Sequence, residues 1–288
     1  MNAANEEHRL FHRHSHLREF FCGGTAAAIN IVLTFVPNKI MFRQQLYGTS
    51  TLEAWASIRE DGWSYLYRGV RPPLMQAAVS KSIMFGLYNY YHNYLTNNFG
   101  GHIGVVPTAT IAAFLSGTSE ALLTPFERVQ TLLQTTKYNH EFKNATEAFV
   151  RIHTTYGVRE HYRGLSAILL RNAPSNMIFF GLREPVRDLL PETTTAGATL
   201  AADFVSGAVL GAFLSTLFFP LNVAKTRMQS VLGNERHLNV VEALRLTYDE
   251  RGRCLARVYR GVGINFARSL VTWGIINSAY EKLMSITE

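Results

Sequence analysis

A chain of 288 residues that is 47% hydrophobic can bury a large core, yet only 17% of it is charged, below the roughly 25% of ordinary soluble domains; burial in a membrane would explain the deficit. The balance of 28 Lys+Arg against 21 Asp+Glu, a net charge of +7, suits nucleic acid, anionic lipid or an anionic small molecule alike and selects none of them. Two cysteines, Cys22 and Cys254, exclude a disulfide framework.

Residues 1–18 hold His8, Arg9, His12, Arg13, His14, His16 and Arg18 without apolar periodicity and are expected to form a mobile basic tail. His12, His14 and His16 have a spacing that could chelate a metal, but a solvated tail is the simpler reading and no metal site is expected. The segment has no signal-peptide core, and Glu6 and Glu7 spoil an acid-free transit peptide, so any organelle address is expected in the body of the chain.

From Phe20 to Phe42 the sequence is apolar apart from small and amide residues, long enough to cross a hydrocarbon core of roughly 30 Å. Pro37 is expected to kink it near its far end. A short amphipathic segment, Leu52–Arg59, leads to Asp61–Gly69 (DGWSYLYRG) and then to a second apolar helix from Pro72 to Leu95. Asn97, Asn98, Gly100 and Gly101 read as closing this first unit, residues 19–101.

Residues 102–196 repeat the order: an apolar stretch from Val105 to Leu133 containing Pro125, an amphipathic piece from Asn144 to Thr155, a second YRG at Tyr162–Gly164, and a helix from Ala167 to Leu190. Residues 197–288 repeat it again, with Leu200–Val231 around Pro220, Val240–Tyr248, a third YRG at Tyr259–Gly261, and a helix ending near Met284. The three prolines lie 88 and 95 residues apart and the YRG glycines 95 and 97 apart, which marks three copies of one unit. Small residues recur 13 and 9 positions before each proline, as Gly24 and Ala28, Ala112 and Ser116, Gly207 and Gly211, and predict close helix approach there. Two spans in each of three units predict an all-α membrane protein of six transmembrane helices, with both termini on one side.

The spans carry Glu120, Arg171 and Arg268 near their middles. A charge at that depth is costly unless it faces protein or water, so a polar path through the helices is expected. Gln76, Arg171 and Arg268 each fall seven residues after a YRG glycine and are equivalent by the pseudosymmetry. Two guanidiniums converging on one cavity make a donor fork suited to phosphate oxygens. The plainer alternative is that each arginine pairs with a neighbouring carboxylate or snorkels to the interface. Glu120 either neutralises an arginine or meets a cation or hydroxyl on a ligand. Asn172 beside Arg171, and Lys81 one turn beyond Gln76, complete the candidate set. A ligand with two negatives and one positive would be the complement of Arg171, Arg268 and Glu120.

Threefold proline units of this kind, each followed by aromatic-Arg-Gly and a second helix, resemble the mitochondrial carrier family over roughly residues 20–285. FRQQLYG (42–48), PFERVQTLLQ (125–134) and RSLVTWGIIN (268–277) are similar to those of the family's NAD-transporting members. The resemblance implies a pseudosymmetric barrel of six transmembrane helices with three short matrix helices, in the mitochondrial inner membrane, acting as a monomer through a central site open alternately to either side. NAD+ or a related nucleotide is the implied cargo, with another nucleotide or anionic metabolite as the alternative.

The resemblance also assigns gates. In the family an acid of one repeat pairs with a base of the next, but the acidic positions here read Lys39, Glu127 and Asn222, and the basic ones Phe42, Gln130 and Lys225. Only Glu127 with Lys225 survives on the matrix side. The opposite gate is worn as well: Asn89, Glu184 and Glu281 stand against His92, Arg187 and Met284. Gly69, Gly164 and Gly261 are implied to start cardiolipin-binding helices, where unpaired N–H groups favour a phosphate; a tight turn alone is the plainer account of them.

A soluble helical-repeat adaptor is the rival from another class, opposed by the matched prolines and midspan arginines. No HExxH, P-loop or GxGxxG motif is present, and neither an enzyme nor a nucleic-acid binder is expected.

Overall fold

Proline removes a backbone donor and drives its ring against the carbonyl one turn back, so an apolar helix that meets one must bend or stop. In a computed structural model the backbone is described over residues 3–103, 105–189, 196–233, 235–272 and 275. Side chains are described over the same residues except 3–23, 78–85, 100–103, 105–107, 184 and 196–204. Three helical units appear in chain order, and no strand occurs among the described residues.

The three prolines act differently. In the second unit, α4 (Val105–Ser119) gives way to a 3-10 turn over Glu120–Leu123 before α5 (Thr124–Gln134) starts with Pro125 in its first turn. In the third, α9 (Ala196–Leu217) stops, and α10 (Phe219–Gln229) leaves at 60° to it. In the first, α1 (Ala3–Tyr47) runs unbroken through Pro37. Because α1 begins at Ala3, the described backbone of the segment read as a tail is helical and continuous with the first unit. A helix already nucleated extends through good helix formers without needing an apolar stripe. The histidine side chains of that segment lie outside the described residues.

The amphipathic pieces are α2 (Thr51–Asp61), α6 (Ala145–Tyr156) and α11 (Val240–Glu250). Each has a polar N-cap, and two have full capping boxes. Ser50 accepts from the Glu53 N–H at 3.3 Å while Glu53 accepts from the Ser50 N–H at 2.8 Å; Asn239 and Glu242 do the same at 2.8 and 3.0 Å. Those backbone donors hold both glutamates below the usual carboxylate range. The second helices of the units are α3 (Arg71–Ile103), α8 (Leu165–Asp188) and α13 over 262–272; the short α7 (Val158–His161) and α12 (Leu255–Val258) precede the last two. Asn97, Asn98, Gly100 and Gly101, read as closing the first unit, are instead helical. Packing of α3 against α4 outweighs weak local stop signals.

What joins the units is a cycle of arginines that the sequence showed only as the middle letter of YRG. Arg68 donates to the Tyr138, Asn139 and Phe142 carbonyls of the second unit. Arg163 donates to the Gly233, Glu235 and Arg236 carbonyls of the third, and Arg260 closes the ring on the Gly48 carbonyl of the first. Within each unit a second arginine ties the proline helix to its own amphipathic hairpin: Arg43 to Asp61, Arg128 to Glu160, Arg227 to Glu250. Buried apolar clusters lie at the same end. One joins Val129, Leu132 and Leu133 of α5 to Ala148 and Ile152 of α6, and another joins Ala167 of α8 to Ala224 and Met228 of α10.

Outward faces carry exposed apolar side chains, among them Leu33 (58%), Leu122 (65%), Val209, Phe213, Leu170 and Val271, more than a water-facing surface normally shows. The small-residue pairs divide. Ala112 and Ser116 are fully buried, but a Cβ on Gly211 would meet nothing within 4 Å, and Gly207 and Gly211 line a cavity. In the third unit, therefore, small residues widen an internal space rather than seat a helix. The close approach falls at Gly117, which the spacing did not flag: a Cβ there would sit 2.7 Å from the Asn172 carbonyl on α8.

The YRG glycines sit at positive φ, +87° at Gly69, +84° at Gly164 and +99° at Gly261, each against the next unit's proline helix. A Cβ on Gly164 would stand 2.9 Å from Cγ of the buried Gln229. Gly164→Ala is expected to destabilise the fold by more than the about 1–2 kcal/mol of left-handed strain alone, read as a lower unfolding temperature. Adding Gln229→Ala should recover the steric part, so the double variant loses less than the sum of the singles. Additive losses in detergent unfolding measurements would show that the contact is not made.

Candidate transport site

A cavity of about 750 Å³ lies between the units and is lined by residues of all three. The first unit contributes Asn38, Met41 and Gln45 of α1 with Gln76 of α3. The second contributes Glu127 and Gln130 of α5 and one face of α8. The third contributes α9, α10 and α13. Gln76, Arg171 and Arg268, equivalent in the repeat register, all line this one space, and so does Asn172.

Glu127 is the centre of the polar floor. Its carboxylate accepts from Lys225 Nζ at 3.1 Å, from Gln76 Nε2 at 3.2 Å and from the Arg171 guanidinium at 3.5 Å. The pair with Lys225 foreseen from the sequence is therefore one arm of a four-residue knot. Arg171 is satisfied on two further sides, donating at 2.8 Å to both the Asn222 and the Asn172 side-chain oxygens. Asn172 in turn donates to Glu120 at 3.2 Å. Glu120 is not among the residues lining the cavity; it stands behind Asn172 at the 3-10 turn that Pro125 produces.

Arg268 differs from Arg171. It lines the same cavity, yet it donates only to the neutral Asn265 amide at 3.3 Å, and its buried Nε meets no partner among the described residues. Asn265 is held by the Ser215 carbonyl at 3.3 Å. Among the described residues the floor thus holds two cations committed to a carboxylate, Arg171 and Lys225, and one that is not.

The worn gate positions separate in space. Gln130 and Asn222 line the cavity. Lys39 and Phe42 are buried away from it, and Lys39 donates to the Tyr65 carbonyl. Arg187 lies in the last turn of α8, about 24 Å of helix rise from Arg171. The Lys81 and Glu184 side chains, with Glu281 and Met284, lie outside the described residues.

A second cavity, about 290 Å³, adjoins Gly69 and is lined by Arg68, Arg71, Lys143, Asn144 and Ala145 among others. It faces the starts of both α3 and α6, where helix N–H groups and two cations, Arg71 and Lys143, favour an anion.

The sequence model described as mitochondrial carrier protein matches the chain three times, over residues 12–99, 102–194 and 197–288. The mitochondrial nicotinamide adenine dinucleotide transporter SLC25A51 of Mus musculus is 45% identical over 273 residues, covering 94% of this chain and 90% of that protein. The Homo sapiens transporter of the same description, SLC25A52, is 44% identical over 270 residues, with 93% and 89% covered. More distantly, the mitochondrial arginine transporter BAC2 of Arabidopsis thaliana is 27% identical over 276 residues, covering 92% and 89%.

Removing Glu127 leaves two buried cations facing each other. Glu127→Gln is expected to cost about 3–5 kcal/mol, the usual penalty for breaking a buried pair, read as a lower unfolding temperature in detergent. Glu127→Gln with Lys225→Gln should cost less than the sum of the singles. Losses that simply add would mean that the two groups are not coupled.

Proposed function

This chain belongs to the mitochondrial carrier family, and we propose that it carries NAD+ across the mitochondrial inner membrane by alternating access through the cavity described above. Six spans follow the helices: α1, α3, α4 with α5, α8, α9 with α10, and α13, their outward apolar side chains facing lipid and α2, α6 and α11 lying on the matrix side. Among the described residues α1 is long and apolar enough to cross a membrane over Gly24–Tyr47, and the bent pair α9–α10 qualifies as a second span. All three units of one chain line the cavity, which supports a monomer as the transporting unit.

Arg268 is the observation that carries the reading. A guanidinium in a membrane-embedded cavity, with an unmet donor and no carboxylate beside it among the described residues, is stable only if an anion arrives or water fills the space. Together the lining charges, Glu127 against Arg171, Lys225 and Arg268, leave two positives, which the two negatives of a pyrophosphate match. Glu120, behind Asn172 and outside the cavity lining, holds that amide instead of meeting the cargo. The Glu127 knot closes the matrix end of the path while the cavity fills, and it must part for release. The second cavity, at Gly69, takes the phosphate of a cardiolipin headgroup between the starts of α3 and α6, and Gly164 and Gly261 hold the equivalent positions.

Uptake of labelled NAD+ into proteoliposomes containing the purified protein tests the cargo directly. Uptake of another nucleotide with none of NAD+ would replace the reading with that of a different anion carrier. Arg268→Ala is expected to abolish uptake with no fall in unfolding temperature, because it removes no ion pair, whereas Arg171→Ala should reduce both. Normal uptake by Arg268→Ala would remove it from the site.

For the lipid, Gly69→Leu is expected to lower the unfolding temperature and also to erase most of the stabilisation that added cardiolipin provides. An unchanged lipid increment would leave the glycine with only its turn and packing roles.

A further inference from the structure

The floor of the cavity answers the charges of a dinucleotide, but nothing there answers its flat rings. We propose that the wall above the arginines, formed by Asn176 and Phe179 of α8 with Thr272 of α13, is a subsite for one heteroaromatic ring of the transported dinucleotide. The proposal rests on the NAD+ reading and adds to it the element that would distinguish a nucleotide from a simpler phosphate.

Among the described residues, Phe179 is the one aromatic that lines the cavity. It stands eight residues beyond Arg171 on the same helix, about 12 Å of rise, the scale of the phosphate–ribose–base arm that would join the two. Its ring is held edge-on by Phe180, at 5.5 Å and 88°, and Phe180 is stacked on Tyr88 of α3 at 3.9 Å and 3°. The aromatic face presented to the cavity is braced by two further rings. Such a face stacks on any nucleobase, because every base has a π surface.

Two polar side chains at this level each have a buried atom with no partner among the described residues. Asn176 is only 7% exposed and its Nδ2 meets no acceptor; the buried Thr272 hydroxyl likewise meets none among the described residues, and both residues line the cavity. A carboxamide offers both a donor and an acceptor, the pattern required by a nicotinamide carboxamide or by the edge of an adenine. Buried polar atoms left unmatched are unfavourable, and a turn of the Asn176 amide toward a ring on Phe179 would satisfy them.

The register of the repeats supports a one-sided subsite. Fifteen residues after each YRG glycine stand Met84, Phe179 and Ile276, and twelve after stand Lys81, Asn176 and Trp273. Only the second unit places an aromatic and a carboxamide at these two positions.

The test uses the full chain in proteoliposomes, measuring the concentration dependence of labelled NAD+ uptake with AMP or nicotinamide mononucleotide as competitor. Phe179→Leu is expected to raise the half-saturating concentration about tenfold, the effect of losing one base–aromatic stack. The maximal rate and the unfolding temperature should hold, and Phe179→Tyr should restore affinity. Asn176→Ala should act in the same direction. The mononucleotide whose ring occupies the subsite should lose inhibitory potency by the same factor while the other keeps it, which identifies the ring. Unchanged half-saturation in Phe179→Leu, or equal loss of potency for both mononucleotides, overturns the subsite and leaves NAD+ transport standing. Failure of the unaltered protein to take up NAD+ overturns both.

Discussion

One buried carboxylate draws on all three units. Glu127 belongs to the second unit and accepts from Gln76 of the first, Arg171 of its own unit and Lys225 of the third. The desolvation penalty of burying an anion is repaid only when several donors surround it, so the carboxylate enforces convergence of α3, α5, α8 and α10 at one level. Around it amides stand where a more symmetric sequence would place charges: Gln130 and Asn222 line the cavity as neutral groups. Ionic contact at this level therefore centres on one anion instead of being spread over three pairs.

Farther along the same end, the arginine cycle performs a different task. Arg68, Arg163 and Arg260 grip backbone carbonyls of the following unit. Carbonyl acceptors do not depend on which side chains a unit carries, so this cycle can stay threefold while the cavity does not. The symmetric part holds the units in register; the asymmetric part, with Arg171 ion-paired and Arg268 not so among the described residues, gives the cavity its chemistry. Gly164 belongs to the first group, since its backbone angle and its contact with Gln229 would be needed whatever passes through the centre.

Much of this could be read from the chain because a repeat exposes equivalent positions. Matching the YRG glycines was enough to bring Gln76, Arg171 and Arg268 to one level, and the second and third prolines marked real breaks. Pro37 did not break α1, because the consequence of a proline depends on whether neighbouring contacts can absorb the missing bond. Glycine and asparagine near residue 100 did not stop α3 for a related reason, as packing against α4 outweighs propensity. Glu120 was placed in the path by register, whereas the 3-10 turn sets it behind Asn172. The carbonyl partners of the YRG arginines left no sequence trace, since a backbone acceptor has no letter. Phe179 was invisible for another reason: a single aromatic in an apolar helix reads as core until a cavity is found beside it.

Arg171 links the two halves of the design. Its guanidinium donates to Glu127 in the closed floor and to Asn222 on α10, yet it faces the same space as Arg268. Any phosphate entering that space competes with Glu127 for Arg171. The competition is uneven, because Arg171 lies 3.5 Å from Glu127 while Lys225 lies at 3.1 Å, so the longer contact is the weaker one to displace. A neutral ligand of equal size would leave the knot intact, since it makes no differential claim on the guanidinium and cannot shift the equilibrium between closed and open floors. On the proposed reading, charge at the cavity floor, rather than occupancy of the cavity, would couple the cargo to the path beneath it.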